Sequence, residues 1–326
     1  MKCKRREAKK KQVTIGLIQM KASPAPEPNL TKAVEMVRKA ARKGAQIISL
    51  QELFKTRYFP QTRGSSYFKL SETIPSPTSE VFRRLAYELK VVIIVPIFER
   101  QGRKYYNAAI IIDADGNIVG KYRKMHLPND PYFYEKHYFS PGDSAFNSYE
   151  TKYGKIGVLI CWDQWFPEAA RAIAMSGAQI IFYPTAIGWN SSDPKRMRQN
   201  ELNAWQIIQR AHAIANGVYV AAVNRVGREE ALTFWGHSFV AGPFGEMVAQ
   251  ASENQEEILI AVCDLSKIEK IRKVWPFLKS LRSDVYGGLG RHCPYEAPYW
   301  GETAFQRRSK QSMTGIASSS QRDSSQ

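Results

Sequence analysis

The chain has 326 residues, 44% of them hydrophobic, which is enough to bury a substantial core, yet no stretch reaches the roughly 20 apolar residues that a membrane helix needs. Its formal charge of +17 looks like a nucleic-acid footprint, but residues 1–12 hold seven Lys/Arg against one Glu; setting aside that arm and the tail from Tyr295 leaves about +10 and no recognisable binding module. The four cysteines, Cys3, Cys161, Cys263 and Cys293, form no C-x-x-C pair and have no His at ligand spacing, which argues against a disulfide framework or a zinc site and suits a cytoplasmic protein.

The basic start followed by an apolar run from Val13 mimics a secretory signal, but Gln19 and Lys21 stop that run at the length of a strand, Val13 to Met20. Residues 23–28, with three prolines, read as a rigid loop that no helix could contain. Asn29 then caps a helix whose Leu30, Ala33, Val34, Val37, Ala40 and Ala41 follow helical spacing to Gly44. A strand from Ala45 to Leu50 delivers Glu52 at its end. Thr78 to Lys90 reads as a second helix and Val91 to Phe98 as a buried strand. Ala108 to Ile112 opens a hairpin that turns at Asp115-Gly116 and returns through Ile118 to Tyr122, leading to Lys124. Residues 129–143 form a long polar and aromatic loop, and loops of that length in a compact domain tend to be functional.

A strand beginning at Lys155 ends at Cys161, and Pro167 and Glu168 open a helix to Met175. Then follow a strand from Ala178 to Tyr183, a helix over 195–216 ended by Gly217, and strands over 218–224, 236–240 and 257–263. This alternation predicts one α/β domain without a linker to about residue 275. The helix-strand pattern that ends at Glu52 recurs around Cys161, which suggests an internal duplication. The Ser-, Arg- and Gln-rich end from about Gln306 reads as disordered.

Glu52, Lys124 and Cys161 each fall where a strand has just ended. The carboxyl ends of strands share one edge of an α/β sheet, where ligands bind, so the three groups can converge. A thiol in a strand-to-helix turn is expected to favour the thiolate. A carboxylate beside it can take its proton, and an ammonium can hold a developing oxyanion. Glu135 is a second carboxylate that could position the others. Singly, each has a plainer reading: a helix cap for Glu52, a surface base for Lys124, a solvated loop charge for Glu135 and a small buried hydrophobe for Cys161.

Together, the segments over 51–54, 121–128 and 161–168 resemble the nitrilase superfamily of carbon-nitrogen hydrolases, a resemblance that runs from Val13 to His292. It implies a four-layer α-β-β-α sandwich over residues 13–292, between a basic arm (1–12) and a C-terminal extension (293–326). It also implies that Glu52 is the general base, Lys124 the oxyanion stabiliser, Cys161 the nucleophile and Glu135 a supporting carboxylate, with the backbone N–H of Trp162 completing the oxyanion hole and no metal or cofactor required. Homo-oligomers built from dimers are implied as well.

The block after Cys161, the loop from Asp130 to Phe139 and residues 234–240 look most like the branch that hydrolyses N-carbamoylputrescine to putrescine, carbon dioxide and ammonia. A ureido substrate with a distal ammonium needs a carboxylate or an aromatic face, for which Asp130, Tyr132, Trp162, Trp189 and Trp235 are the candidates, Asp130 and Trp162 first. A carbamoyl amino acid such as N-carbamoyl-β-alanine would need a cation instead. Gln164 stands where enzymes of that type carry Arg, which leaves Arg196, Arg198 and Arg225 for the alternative. Glu52→Gln or Lys124→Ala is expected to lower turnover by orders of magnitude and leave the fold intact. A basic nucleic-acid-binding protein or an inactive scaffold is the reading from other classes; no nucleic acid or membrane partner is expected.

Overall fold

Two six-stranded mixed sheets lie face to face in the computed structural model, which describes residues 12–190 and 193–288. The chain divides between Lys279 and Ser280 into two units, and the second contains the 3-10 segment Ser283–Gly288. The arm over 1–11, Cys3, Cys293 and the segment from Gln306 lie outside the described residues.

In the first unit the elements run β1 (Gln12–Gln19), α1 (Pro26–Arg42), β2 (Ile47–Leu50), α2 (Pro77–Leu89), β3 (Val92–Gln101), β4 (Lys104–Ile112), β5 (Ile118–Arg123), α3 (Glu135–Tyr138), β6 (Ser148–Thr151) and β7 (Gly154–Val158). They continue with α4 (Pro167–Met175), β8 (Ile180–Pro184), β9 (Gly188–Asn190), α5 (Lys195–Asn216), β10 (Tyr219–Val223), β11 (Val226–Glu229), β12 (Leu232–Trp235), β13 (Phe239–Ala241), β14 (Met247–Gln250), β15 (Glu257–Asp264) and α6 (Ser266–Val274). The short strands β6, β9, β11, β12 and β14 are absent from the sequence reading because three or four residues carry too little periodicity.

The first sheet has the order β15-β1-β2-β3-β4-β5 and the second β14-β13-β10-β8-β7-β6, while β11, β12 and β9 make a small third sheet. Counted from β15, the pairings of the first sheet run antiparallel, parallel, parallel, antiparallel, antiparallel. Counted from β6, those of the second run in the same sequence. The suggested duplication is thus a repeat of half-sandwiches, α1 and α2 linking the parallel strands of one half and α4 and α5 those of the other. Glu52 and Cys161 are not equivalent in it: Glu52 follows the second parallel strand of its half, Cys161 the first of its own.

Strand alternation explains the layers. Val13, Ile15 and Leu17 of β1 and Val92 and Ile94 of β3 pack with Ile156 and Val158 of β7 in the core between the sheets. Their neighbours Ile18, Ile93 and Val95 point the other way, onto Val37 and Ala40 of α1 and Phe82 and Leu85 of α2. Ala170 and Ile173 of α4 and Trp205 and Ala213 of α5 cover the second sheet. The result is the four-layer α-β-β-α sandwich, and strands buried on both faces read as continuous apolar runs.

One boundary differs instructively. α1 starts at Pro26, not after Asn29, because Pro26 and Pro28 fall in the first turn, where a missing N–H costs nothing. Asn29 is buried and ties two loops together: its Oδ1 accepts from Ser23 N (2.7 Å), and its Nδ2 donates to Ser23 O (2.9 Å) and Lys55 O (3.0 Å). Among the described residues no helix is long and apolar enough to cross a membrane.

Behind Cys161, β7 and α4 touch so closely that a Cβ at Gly157 would lie 2.1 Å from Ile173 Cγ2. Gly157→Ala is therefore expected to lose about 1–3 kcal/mol in urea denaturation, the usual cost of overpacking a core.

Candidate active site

Four elements of different parentage deliver the site. Glu52 follows β2, Lys124 follows β5, Glu135 opens α3, and Cys161 opens a 3-10 turn, Cys161–Trp165, after β7. The side chains of Glu52, Lys124 and Glu135 are all fully buried. Lys124 Nζ donates to Glu52 Oε1 (2.8 Å), to Glu135 Oε1 (2.8 Å) and to Glu135 Oε2 (2.6 Å), so one ammonium bridges two carboxylates. Burial pushes the Lys124 pKa down, but Glu135 and Glu52 outweigh it and hold it above the usual lysine range.

Neutral donors complete the cluster. Tyr58 Oη donates to Glu135 Oε1 (2.6 Å), and Asn107 Nδ2 donates to Glu52 Oε1 (2.6 Å). Burial pushes the Glu135 carboxyl up, opposed by Lys124. Glu52 Oε2 is buried with no protein partner among the described residues.

Cys161 has φ 43°, a left-handed conformation that a side chain rarely adopts and that turns the chain sharply out of β7. Asp163 holds that turn. It accepts from Ile160 N (2.9 Å) and Tyr122 Oη (2.8 Å) at Oδ2 and from His126 N (3.0 Å) at Oδ1, with His126 Nδ1 also within 2.7 Å. The Cys turn is thereby stitched to β5 and the segment after Lys124.

The expectation of a favoured thiolate is corrected here. α4 begins only at Pro167, and burial, reinforced by Glu52 and Glu135 against Lys124, pushes the Cys161 thiol well above its ordinary value. These effects favour the protonated thiol, so forming a thiolate there calls for a base. Trp162 sits in the first turn of the 3-10 segment, where backbone N–H groups have no intrahelical acceptor.

A cavity of about 620 Å³ opens on Cys161. Trp162, Trp165 and Trp235 supply aromatic wall, and Asp130, Asp193 and Glu201 supply carboxyl groups; the described lining contains no Lys or Arg. Burial, followed by the neighbouring Asp193, pushes the Glu201 carboxyl up, against Arg198.

Two candidates fall elsewhere. Trp189 packs behind Trp235, ring centroids 5.2 Å apart, with its Nε1 donating to Arg198 O (3.0 Å). Tyr132 is half-buried against the aromatic cluster around Phe59 and Tyr138, and neither it nor Trp189 is among the described lining residues.

The cations weighed for a substrate carboxylate also fall out. Arg225 is fully buried and donates from Nη2 to Glu52 O (2.8 Å) and Leu53 O (3.0 Å) and from Nη1 to Glu229 (2.8 Å), bracing Leu53 at φ 48°. Arg196 is exposed, and Arg198 donates from Nε to Asp193 O (2.9 Å). Gln164 does not line the cavity at all: it is fully buried, and its Oε1 accepts from Trp205 Nε1 (2.8 Å). The residue type at 164 therefore says nothing direct about the substrate.

Residues 14–273 match the family model described as carbon-nitrogen hydrolase. The chain belongs to the carbon-nitrogen hydrolase family. It is 44% identical over 287 residues to an N-carbamoylputrescine amidase of Solanum lycopersicum, covering 85% of this chain and 95% of the relative. A citrullinase of Francisella tularensis is 38% identical over 284 residues, covering 86% and 98%. A crystal structure of a carbon-nitrogen hydrolase from Helicobacter pylori superposes with a TM-score of 0.84 at 40% identity, covering 86% of this chain and 99% of that one.

The sequence pattern of this carbon-nitrogen hydrolase did not single out Tyr58, Asn107, Asp163, Asp193 or Glu201, and it offered Arg225 only as a partner for a substrate carboxylate. Asn107 left a readable trace, a polar residue directly before the apolar run over 108–112; Asp193 and Glu201 left none, lying in a segment of mixed charge. The expectation that Lys124→Ala spares the fold is also revised, because it leaves two fully buried carboxylates without their cation. The variant is expected to lose about 3–5 kcal/mol. Carboxyls buried unpaired have raised folded-state pKa values, so the lost stability returns as pH falls and they take up protons. Urea denaturation at about pH 8 and pH 5.5 checks both magnitude and direction.

Proposed function

We propose that this carbon-nitrogen hydrolase hydrolyses N-carbamoylputrescine to putrescine, carbon dioxide and ammonia. The observation that carries the choice of substrate is the wall of the Cys161 cavity: three carboxyl groups, three indoles and no described Lys or Arg. A distal ammonium is received there by opposite charge and aromatic faces, whereas the carboxylate of a carbamoyl amino acid meets like charge. The identity of 42–44% to four plant N-carbamoylputrescine amidases points the same way. The 38% relative named citrullinase supports the ureido group as the reacting centre.

In this reading Glu52 Oε2 takes the Cys161 proton and the thiolate attacks the carbamoyl carbon. Lys124 Nζ and the Trp162 backbone N–H hold the oxyanion, worth about 3–4 kcal/mol per donor in comparable sites. The carbon-nitrogen bond to the terminal amine breaks as Glu52 returns its proton, and ammonia departs. Water, losing a proton to Glu52, then breaks the thioester; the proton goes back to the sulfur, and the carbamate decomposes to amine and carbon dioxide. Glu135 keeps Lys124 charged and in place, while Asp130, Asp193, Glu201 and the indoles of Trp162 and Trp235 receive the distal end. The hydrolase domain is taken as residues 13–292, and the working form as a cytoplasmic homo-oligomer built from dimers. Met175 on α4 and Ile207 on α5 are exposed apolar side chains on helices that pack side by side, which supports association.

The test is ammonia release from N-carbamoylputrescine, N-carbamoyl-β-alanine and a simple aliphatic amide, with Cys161→Ala as control. Preference for the first, lost in the control, is the expected outcome; preference for the second discards the pocket reading. Asp193→Asn and Glu201→Gln are expected to raise KM for N-carbamoylputrescine about tenfold each, with kcat little changed, since a charge-assisted contact is worth roughly 1.5–3 kcal/mol.

A further inference from the structure

We propose that Asn107 is a positioning residue for this chemistry: it turns the Glu52 carboxylate so that one oxygen is held and the other is left to take the Cys161 proton. The proposal rests on the reading of Glu52 as general base.

Asn107 lies within β4, opposite Phe98 of β3, and is 1% exposed. A buried side-chain amide is costly unless it is hydrogen-bonded, and this one spends its one contact on the site, to which its backbone adds another. Its Nδ2 donates to Glu52 Oε1 at 2.6 Å, and its backbone oxygen accepts from Lys124 N at 2.8 Å. One residue thus sets the side chain of Glu52 and the main chain of Lys124 from the strand that lies between β3 and β5.

The terminal torsion of a glutamate is soft and nearly two-fold, so a carboxylate does not choose between its oxygens by itself. Here Asn107 Nδ2 and Lys124 Nζ converge on the same oxygen, Oε1. Glu52 Oε2 is left buried and without a protein partner, ready for a proton. Asn107 Oδ1 is likewise unpartnered among the described residues. An amide kept only to brace the strand would be expected to satisfy both ends; this one spends its donor on Glu52 and leaves its acceptor idle.

The charged and titratable groups acting around Glu52 are Lys124, Glu135, Cys161 and Tyr58, with Arg225 on its backbone carbonyl. Asn107 carries no charge, so replacing it leaves the charge of the site unchanged. Loss of its N–H makes the Glu52 anion harder to maintain and frees its rotation. Both effects fall on the base and leave the substrate cavity, whose described lining does not include Asn107, as it is.

Asn107→Leu keeps the volume and removes the donor; Asn107→Ser shortens the side chain out of reach. In the full-length protein either variant is expected to lower kcat about 10- to 100-fold with KM within about twofold, and to move the acid limb of kcat/KM up by about one pH unit. Alkylation of Cys161 by iodoacetamide, followed at the Cys161 peptide by mass spectrometry, reads the same shift without any substrate. A folded variant with the wild-type acid limb and kcat within about twofold overturns the proposal, and loss of the fold in both variants overturns it too, by assigning Asn107 to the scaffold. Glu52→Gln separates the levels. Full turnover in that variant removes the general-base reading itself, whereas an inactive Glu52→Gln beside unshifted Asn107 variants removes only the role of Asn107.

Discussion

A single buried ammonium between two buried carboxylates is the interaction on which the rest of this structure depends. Three charges without solvent exposure are tolerable only if each is paired and its remaining positions are filled. Lys124 has three donors and spends them on Glu52 and on both oxygens of Glu135; Tyr58 and Asn107 supply the further donors. The requirement reaches outward. Arg225, itself paired with Glu229, holds the backbone carbonyls of Glu52 and Leu53, and Glu229 also accepts from Tyr58 N (2.7 Å). β2, β4, β5, α3 and the segment around β11 are thereby joined by polar contacts that none of them could satisfy alone.

That dependence explains what could be read from the chain alone. Strands covered on both faces leave long apolar runs, and the residues just past those runs, Glu52, Lys124 and Cys161, were visible because chemistry in an α/β sheet gathers at strand ends. Their supports were not. Tyr58 lies in an irregular connection, Asn107 inside a strand, and Asp163 in a turn where one more acid looks like a solvated charge. Their meaning comes from pairings across 77, 55 and 41 positions of sequence, to Glu135, Glu52 and Tyr122, which local pattern does not encode. The misplaced start of α1 has the opposite origin: a local rule about proline was applied without its exception for the first helical turn.

The cavity wall repeats the lesson on the substrate side. Trp162 and Asp130 could be nominated because they flank recognisable segments, whereas Asp193 and Glu201 reach the same space from the start of α5 and the loop before it. Gln164 shows how position in a motif can mislead. Trp162 and Trp165 meet the cavity, but Gln164 between them turns inward to Trp205. In a 3-10 turn successive side chains point about a third of a revolution apart, so three adjacent residues cannot share one target.

The same geometry favours a protonated thiol over a preformed thiolate at Cys161. With all three groups ionised, Glu52, Glu135 and Lys124 together carry one net negative charge, and both oxygens of Glu135 receive donors, against the burial that pushes its carboxyl up to about 7. Adding a resting thiolate would place a second uncompensated charge in the same dry volume, where burial and the two carboxylates oppose it. In the proposed mechanism, moving the Cys161 proton onto Glu52 would avoid that addition: negative charge leaves the carboxylate as it appears on sulfur, and the total stays the same. Lys124 would then, in that mechanism, lose the charge of one of its two carboxylate partners as the oxyanion forms, so that this part of its pairing is kept for the transition state. A single proton transfer in the proposed mechanism would therefore generate the nucleophile and free the electrophile together, through the buried ion bridge.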